Sequence, residues 1–212
     1  MNKQEYLNQI SATSRPVGTA KGGKFGKILS SKITMIVVGA IALFIVIGAI
    51  GAIIGGAKGN VKDNLFSLKV HADNTKNVID DYLGKVKSSA LRSDGSTLSS
   101  LLADLNGNIE GYVTEKYNMK ANEIEKKLNE KKIEQLQLEK DDLEASLFEA
   151  KINGNLDRVY AHKMAYEISL IMAEENQIAG ASNDDSLKGF LSNNYTSLEN
   201  LYNKVDSFSE AK

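Results

Sequence analysis

The stretch from Ile33 to Ile54, ITMIVVGAIALFIVIGAIGAII, constrains this chain more than any other: it carries no charge and nothing more polar than Thr34. As a helix rising about 1.5 Å per residue, the run reaches roughly 33 Å, enough to cross a bilayer core of about 30 Å. We therefore expect one transmembrane helix at 33–54. It divides the chain into a tail (1–32), a glycine-rich joint (55–60) and a long polar remainder (61–209).

Charge gives the span a direction. Residues 1–32 hold Lys3, Arg15, Lys21, Lys24, Lys27 and Lys32 against Glu5, a net of +5, whereas residues 60–212 hold 19 Lys or Arg and 26 Asp or Glu, a net of −7. Short basic segments stay on the cytoplasmic side, so the N-terminus is expected in the cytoplasm and the C-terminal part outside. The tail, as in SRPVGTAKGGKFGK, has too few large apolar residues to order itself and is expected to be disordered. Its lysines suit anionic lipid, and the scarcity of interleaved aromatics argues against nucleic acid. Gly55-Gly56-Ala57 offers small residues where a signal peptidase cuts. The apolar run, however, exceeds the roughly 7–15 residues of a signal peptide, which favours an uncleaved anchor. Gly51 and Gly55 lie one turn apart in the span, as do Ala52 and Gly56. That spacing lets two membrane helices approach closely, making Gly51 and Gly55 candidate helix–helix contacts.

Beyond the joint the pattern is helical throughout. Cysteine is absent and proline occurs once, at Pro16, so the remainder must hold together by packing, and no thiolate metal site exists. Val61, Leu65, Leu68, Ala72, Thr75, Ile79, Tyr82 and Val86 alternate in steps of four and three, one stripe of a helix over about 61–92. Ser93-Asp94-Gly95 reads as a turn. Leu98, Leu102, Leu105, Ile109 and Tyr112 open a second helix, taken as 96–152 with a kink near 106–108, where Asn-Gly-Asn interrupts it. The phase then changes: Ile124 and Leu128 lie on one side, and Ile133, Leu136, Leu143 and Leu147 on another. This resembles an insertion in a coiled coil. From Lys116 to Lys151 charged residues dominate, so this length is expected to project or to lie along a partner. Asn153-Gly154-Asn155 ends it. Leu156, Tyr160, Met164, Ile168, Ile171 and Ile178 mark a helix over 155–179. After a loop in which Asp184, Asp185 or Ser186 serves as cap, a last helix covers 185–209. Its heptad runs Leu187, Leu191, Asn194, Leu198, Leu201, Val205, Phe208, with Asn194 a polar residue in a core position where it can set register. The fold class is all-α: a single N-terminal transmembrane helix, then an extracytoplasmic antiparallel helical bundle with a long, charged, coiled-coil-like helix.

The residues offer little chemistry. Asp104, Asn106, Asn108, Glu110 and Glu115 have the alternating oxygens of a calcium loop, but the required glycine is Ile109 and the same stretch has helical spacing. His71 and His162 are the only histidines and belong to no ligand pair; both are expected to be partly buried surface residues. Tyr82, Tyr112, Tyr117, Tyr160, Tyr166, Tyr195 and Tyr202, with Phe190 and Phe208, sit near the stripes and are expected to be core rather than pocket. No nucleophile motif, phosphate loop or dinucleotide fingerprint occurs. The expectation is therefore a non-enzymatic, membrane-anchored interaction or scaffold protein. It would bind a protein partner or a second copy through 116–151, and no cofactor, metal, nucleic acid or small-molecule substrate is foreseen. The alternative is a membrane-anchored sensor whose bundle binds a ligand and signals through the span.

Overall fold

A computed structural model describes residues 60–210. The expected span, the joint before Asn60, and Gly51 and Gly55 lie outside the described residues; among those described, no helix is long and apolar enough to cross a membrane. The described residues form five α-helices and no strand: α1 (Val61–Leu83), α2 (Ser89–Tyr117), α3 (Glu130–Ile152), α4 (Leu156–Ala181) and α5 (Asp185–Glu210). Two short 3-10 turns, Ala121–Glu123 and Glu125–Lys127, lie between α2 and α3.

The helices α1, α2, α5 and α4 pack in that order around a closed ring, and α3 lies outside it, across α1 and α4. Short connections force chain neighbours to run antiparallel, as in helical bundles generally. The stripes supply the core. Leu65, Leu68, Ala72, Thr75, Ile79 and Tyr82 of α1 are buried, as are Leu98, Leu102, Leu105 and Ile109 of α2 and Leu187, Leu191, Leu198, Leu201 and Val205 of α5. The centre is α4, with 14 of its 26 residues buried on more than one side. Most of the aromatics belong to this core: Tyr82 and Tyr160 are buried, and Tyr112, Tyr117, Phe190, Tyr195, Tyr202 and Phe208 pack against it.

The breaks differ from those expected. The first helix ends at Leu83 rather than near 92, and Ser93, Asp94 and Gly95 lie inside α2. The connection at 84–88 is held by side chains. Ser88 caps α2, Asp157 of α4 accepts hydrogen bonds from the Lys87 and Ser88 amides at 2.9 and 2.8 Å, and Arg92 donates to the carbonyls of Val86 and Lys87. Gly95 is a contact, not a turn. A methyl group there would collide with the Tyr160 hydroxyl and lie 2.6 Å from Leu83 Cδ1, so its lack of a side chain lets the helices close.

The second expected helix is two. It stops at Tyr117, where Asn118 takes a left-handed conformation (φ 49°), and restarts at Glu130, with Asn129 accepting from the Lys132 amide at 2.9 Å. The change of phase in the sequence is the chain leaving one helix and entering another. Between them, buried Ile124 pins the connection to the core. No break occurs at 106–108. The helix runs through them because Asn106 is buried and donates to Asp73 of α1 at 2.6 Å, while Gly107 and Asn108 face solvent. The turn at Asn153-Gly154-Asn155 forms as expected, with Gly154 at φ 72° and the Asn155 amide reaching back to the Ala150 carbonyl. Asp184 caps α5 through the amides of Ser186 and Leu187.

Candidate functional site

Three buried acidic residues of α4 set the chemistry of the interior. Glu167, Glu174 and Glu175 are 7%, 8% and 1% exposed, within a helix whose neighbouring positions (Met164, Ile168, Ile171, Met172, Ile178) are apolar and buried. Removing a carboxylate from water costs several kcal/mol unless it is paired or protonated. Both solutions occur here.

Glu167 and Glu174 are seven residues apart, two helical turns, and so face the same way. Between them, from α1, stands His71. Its Nε2 lies 3.0 Å from Glu167 Oε2 and its Nδ1 lies 3.1 Å from Glu174 Oε2. Thr75, one turn along α1, donates to the same Glu167 oxygen at 3.4 Å. A ring that meets a carboxylate acceptor at each nitrogen must donate from both, so it is the imidazolium. Burial alone would lower the His71 pKa, but the flanking Glu174 and Glu167 reverse this and hold it at about 10. His71 is therefore not the partly buried surface histidine expected; it is 4% exposed because its charge is matched on both sides. His162 does lie at the surface.

Glu175 takes the second solution. Its burial, with the neighbouring charge of Glu174, raises its pKa to about 8, against the lowering effect of a hydrogen bond from Asn194. Asn194 Nδ2 donates to Glu175 Oε1 at 2.7 Å, while Glu175 Oε2 is buried with no partner. The polar residue of the α5 heptad, partly buried, thus finds its complement on α4.

Over the His71 triad lies a cavity of about 400 Å³, lined by His71, Glu167, Tyr166, Leu170 and Glu174 from the ring and by Lys132, Gln135, Leu138, Glu139 and Asp142 from α3. Helix α3 is strapped above it: Asn74 donates to the Leu136 carbonyl at 3.3 Å and Tyr82 to the Glu144 carbonyl at 3.4 Å. Lys163 pairs with Asp142 at 3.0 Å on the rim. Tyr166, alone of the aromatics singled out from the sequence, stands out at 48% exposed beside this cavity.

The alternating oxygens at 104–115 do not converge. Asn106 turns into the core, Glu110 pairs with Lys69 of α1 at 3.1 Å, and Asp104, Asn108 and Glu115 point outward. Among the described residues no group of three His, Asp or Glu side chains is placed to hold a metal ion. Sequence reasoning missed the three glutamates. The signal that could have found them was the breadth of the apolar surface around them on α4, which leaves no solvent face to carry Glu167 and Glu174.

A further feature lies on α3. Of the large apolar residues that remain exposed, Leu138 (63%), Phe148 (54%) and Ile152 (69%) all belong to this helix. They fall with Ala145 on the face opposite its buried row, Leu136, Leu143, Leu147 and Ala150. Comparison of the chain with protein-family models, with curated proteins and with solved structures finds no match.

Proposed function

We propose that this chain is a membrane-anchored, non-enzymatic interaction module that presents its helical bundle outside the cytoplasm and docks a partner protein on the outer face of α3. The anchoring rests on the 33–54 run and the charge asymmetry across it. One observation carries the docking role: the second apolar row of α3, with Leu138, Ala145 and Ile152 recurring every seven residues and Phe148 between them. A helix with one face packed and the opposite face apolar is suited to receive another helix.

Charge selects the kind of partner. Helix α3 contains seven Asp or Glu and four Lys, a net of −3, and the half bearing Phe148 and Ile152 (141–152) holds four of those acids and one lysine. A second copy laid parallel would set like charges together, whereas an amphipathic helix with basic flanks meets opposite ones. The proposed occupant is therefore such a helix on a different protein at the same membrane.

Photo-crosslinking amino acids placed at Phe148 and Ile152 of the full chain, expressed in its native membrane, test this. The expected result is an adduct with a different protein, absent when the crosslinker is at Lys204 on α5, and lost from a position 152 crosslinker when Leu138 and Phe148 are both changed to Glu. Adducts only between copies of the chain, or equal labelling from position 204, would overturn the reading.

A further inference from the structure

We propose that the cavity between α1, α3 and α4 is a binding site for a small organic cation carrying an apolar body, such as an arylalkylammonium. This goes beyond the docking role: the cavity lies between α3 and the ring and shares only Leu138 with the outer row. It also departs from the expectation that no small molecule is bound.

The shape is that of a ligand site. At about 400 Å³ the cavity falls within the range of small-molecule sites, about 300–1,000 Å³. Three helices wall it, and the hydrogen bonds from Asn74 and Tyr82 hold α3 in place. The floor is a constrained polar cluster, because each ring nitrogen of His71 meets a carboxylate.

The charge is that of a cation site. The floor sets two carboxylates against one imidazolium, leaving one negative charge in residues that are 4–8% exposed. The α3 wall adds Glu139 and Asp142 against Lys132, with Asp142 drawn towards Lys163 at the rim. The lining is therefore net negative, with four carboxylates against Lys132 and the His71 imidazolium, which favours a cation over an anion. A cation at the cavity floor supplies what the fold lacks there.

The apolar lining gives the rest of the ligand its chemistry. Leu138, Tyr166 and Leu170 share the cavity with the acids. The half-exposed Tyr166 ring offers a face to a cationic or aromatic group, and an ammonium over such a face gains about 0.5–1 kcal/mol at exposed sites. A fully hydrated inorganic ion would not use these surfaces; an amine on a hydrocarbon body uses both.

The test is calorimetric titration of the full-length chain in detergent micelles with three probes of one shape: 2-phenylethylammonium, 2-phenylethanol and 3-phenylpropanoate. Saturable binding of the ammonium, weakened as salt is raised, with at least tenfold weaker binding of the alcohol and none of the carboxylate, is the expected result. Glu174→Gln would perturb the core, so the variants are Glu139→Gln, at an exposed position, and Tyr166→Ala. Each should weaken the ammonium by about two- to fivefold while leaving thermal unfolding of the free protein unchanged. Equal affinity for the alcohol and the ammonium, no binding of any probe, or unaltered affinity in both variants would overturn the proposal.

Discussion

Changing Glu175 to Gln should abolish a loss of stability that the parent chain suffers as pH rises. The side chain is 1% exposed, accepts a hydrogen bond from Asn194, and has its second oxygen buried without a partner. Its pKa is about 8 in the fold against 4.5 in the open chain. Between those values the folded protein keeps a proton that the unfolded chain releases. The associated stability is fully present below pH 4.5 and is lost as pH climbs through about 8. At about 1.36 kcal/mol per pH unit, the loss from about pH 5 to full deprotonation comes to roughly 4 kcal/mol. Gln has no such proton, still accepts from Asn194, and puts an amide NH2 where the carboxyl hydroxyl stands. Urea unfolding of the full chain in micelles, followed by far-ultraviolet circular dichroism, should therefore give the two proteins similar stability near pH 5, to within about 1 kcal/mol. Near pH 9 the Gln variant should be more stable by roughly 4 kcal/mol. His71, raised from 6.5 to about 10, adds its own loss over that higher window, but it does so in both proteins and cancels in the difference. Two pH curves separated by a constant offset would refute the reasoning, because Glu175 would then not be the group holding the proton.

Other substitutions separate the parts of the fold. His71→Gln strands Glu167 and Glu174 beside each other and should cost about 3–5 kcal/mol in the same assay, whereas replacing all three with Leu or Met should restore much of it. Gly95→Ala forces a methyl into Tyr160 and Leu83 and should destabilise by about 1–3 kcal/mol. Gly107→Ala meets nothing within 4 Å in an unbroken helix and should stabilise by about 0.5–1 kcal/mol; a loss instead would mean that α2 bends there. Asp157→Ala leaves the Lys87 and Ser88 amides without their acceptor and should cost about 1–2 kcal/mol, seen as a lower unfolding midpoint with an unchanged denaturant slope.

The stripes at 61–82 and 187–208 were legible because burial on a helix is periodic, and a run of spacings fixes the inward face without knowledge of what it packs against. The stop at Gly154 and the cap before α5 were legible for the same local reason. The breaks at 84–88 and 118–129 were not. Gly95 has the composition of a turn, but its lack of a side chain serves a contact with Tyr160, 65 residues away. The change of phase after Met119 marks an interruption without saying whether the helix rewinds or ends.

By itself the sequence determined the all-helical class and the apolar faces of the bundle helices, and it carries the expectation of a span at 33–54 with a basic side and an acidic side. The tertiary structure decided what the acids of α4 do. Glu167 and Glu174 look in sequence like charges for a solvated face. They are paired with a histidine 96 and 103 residues away, while Glu175 keeps its own proton and a hydrogen bond from Asn194. It also decided that α3 lies against the ring with a second apolar face turned outward. The reason is physical: periodicity and hydropathy act within one helix, whereas charge pairing and desolvation depend on which turns of different helices come to lie opposite one another.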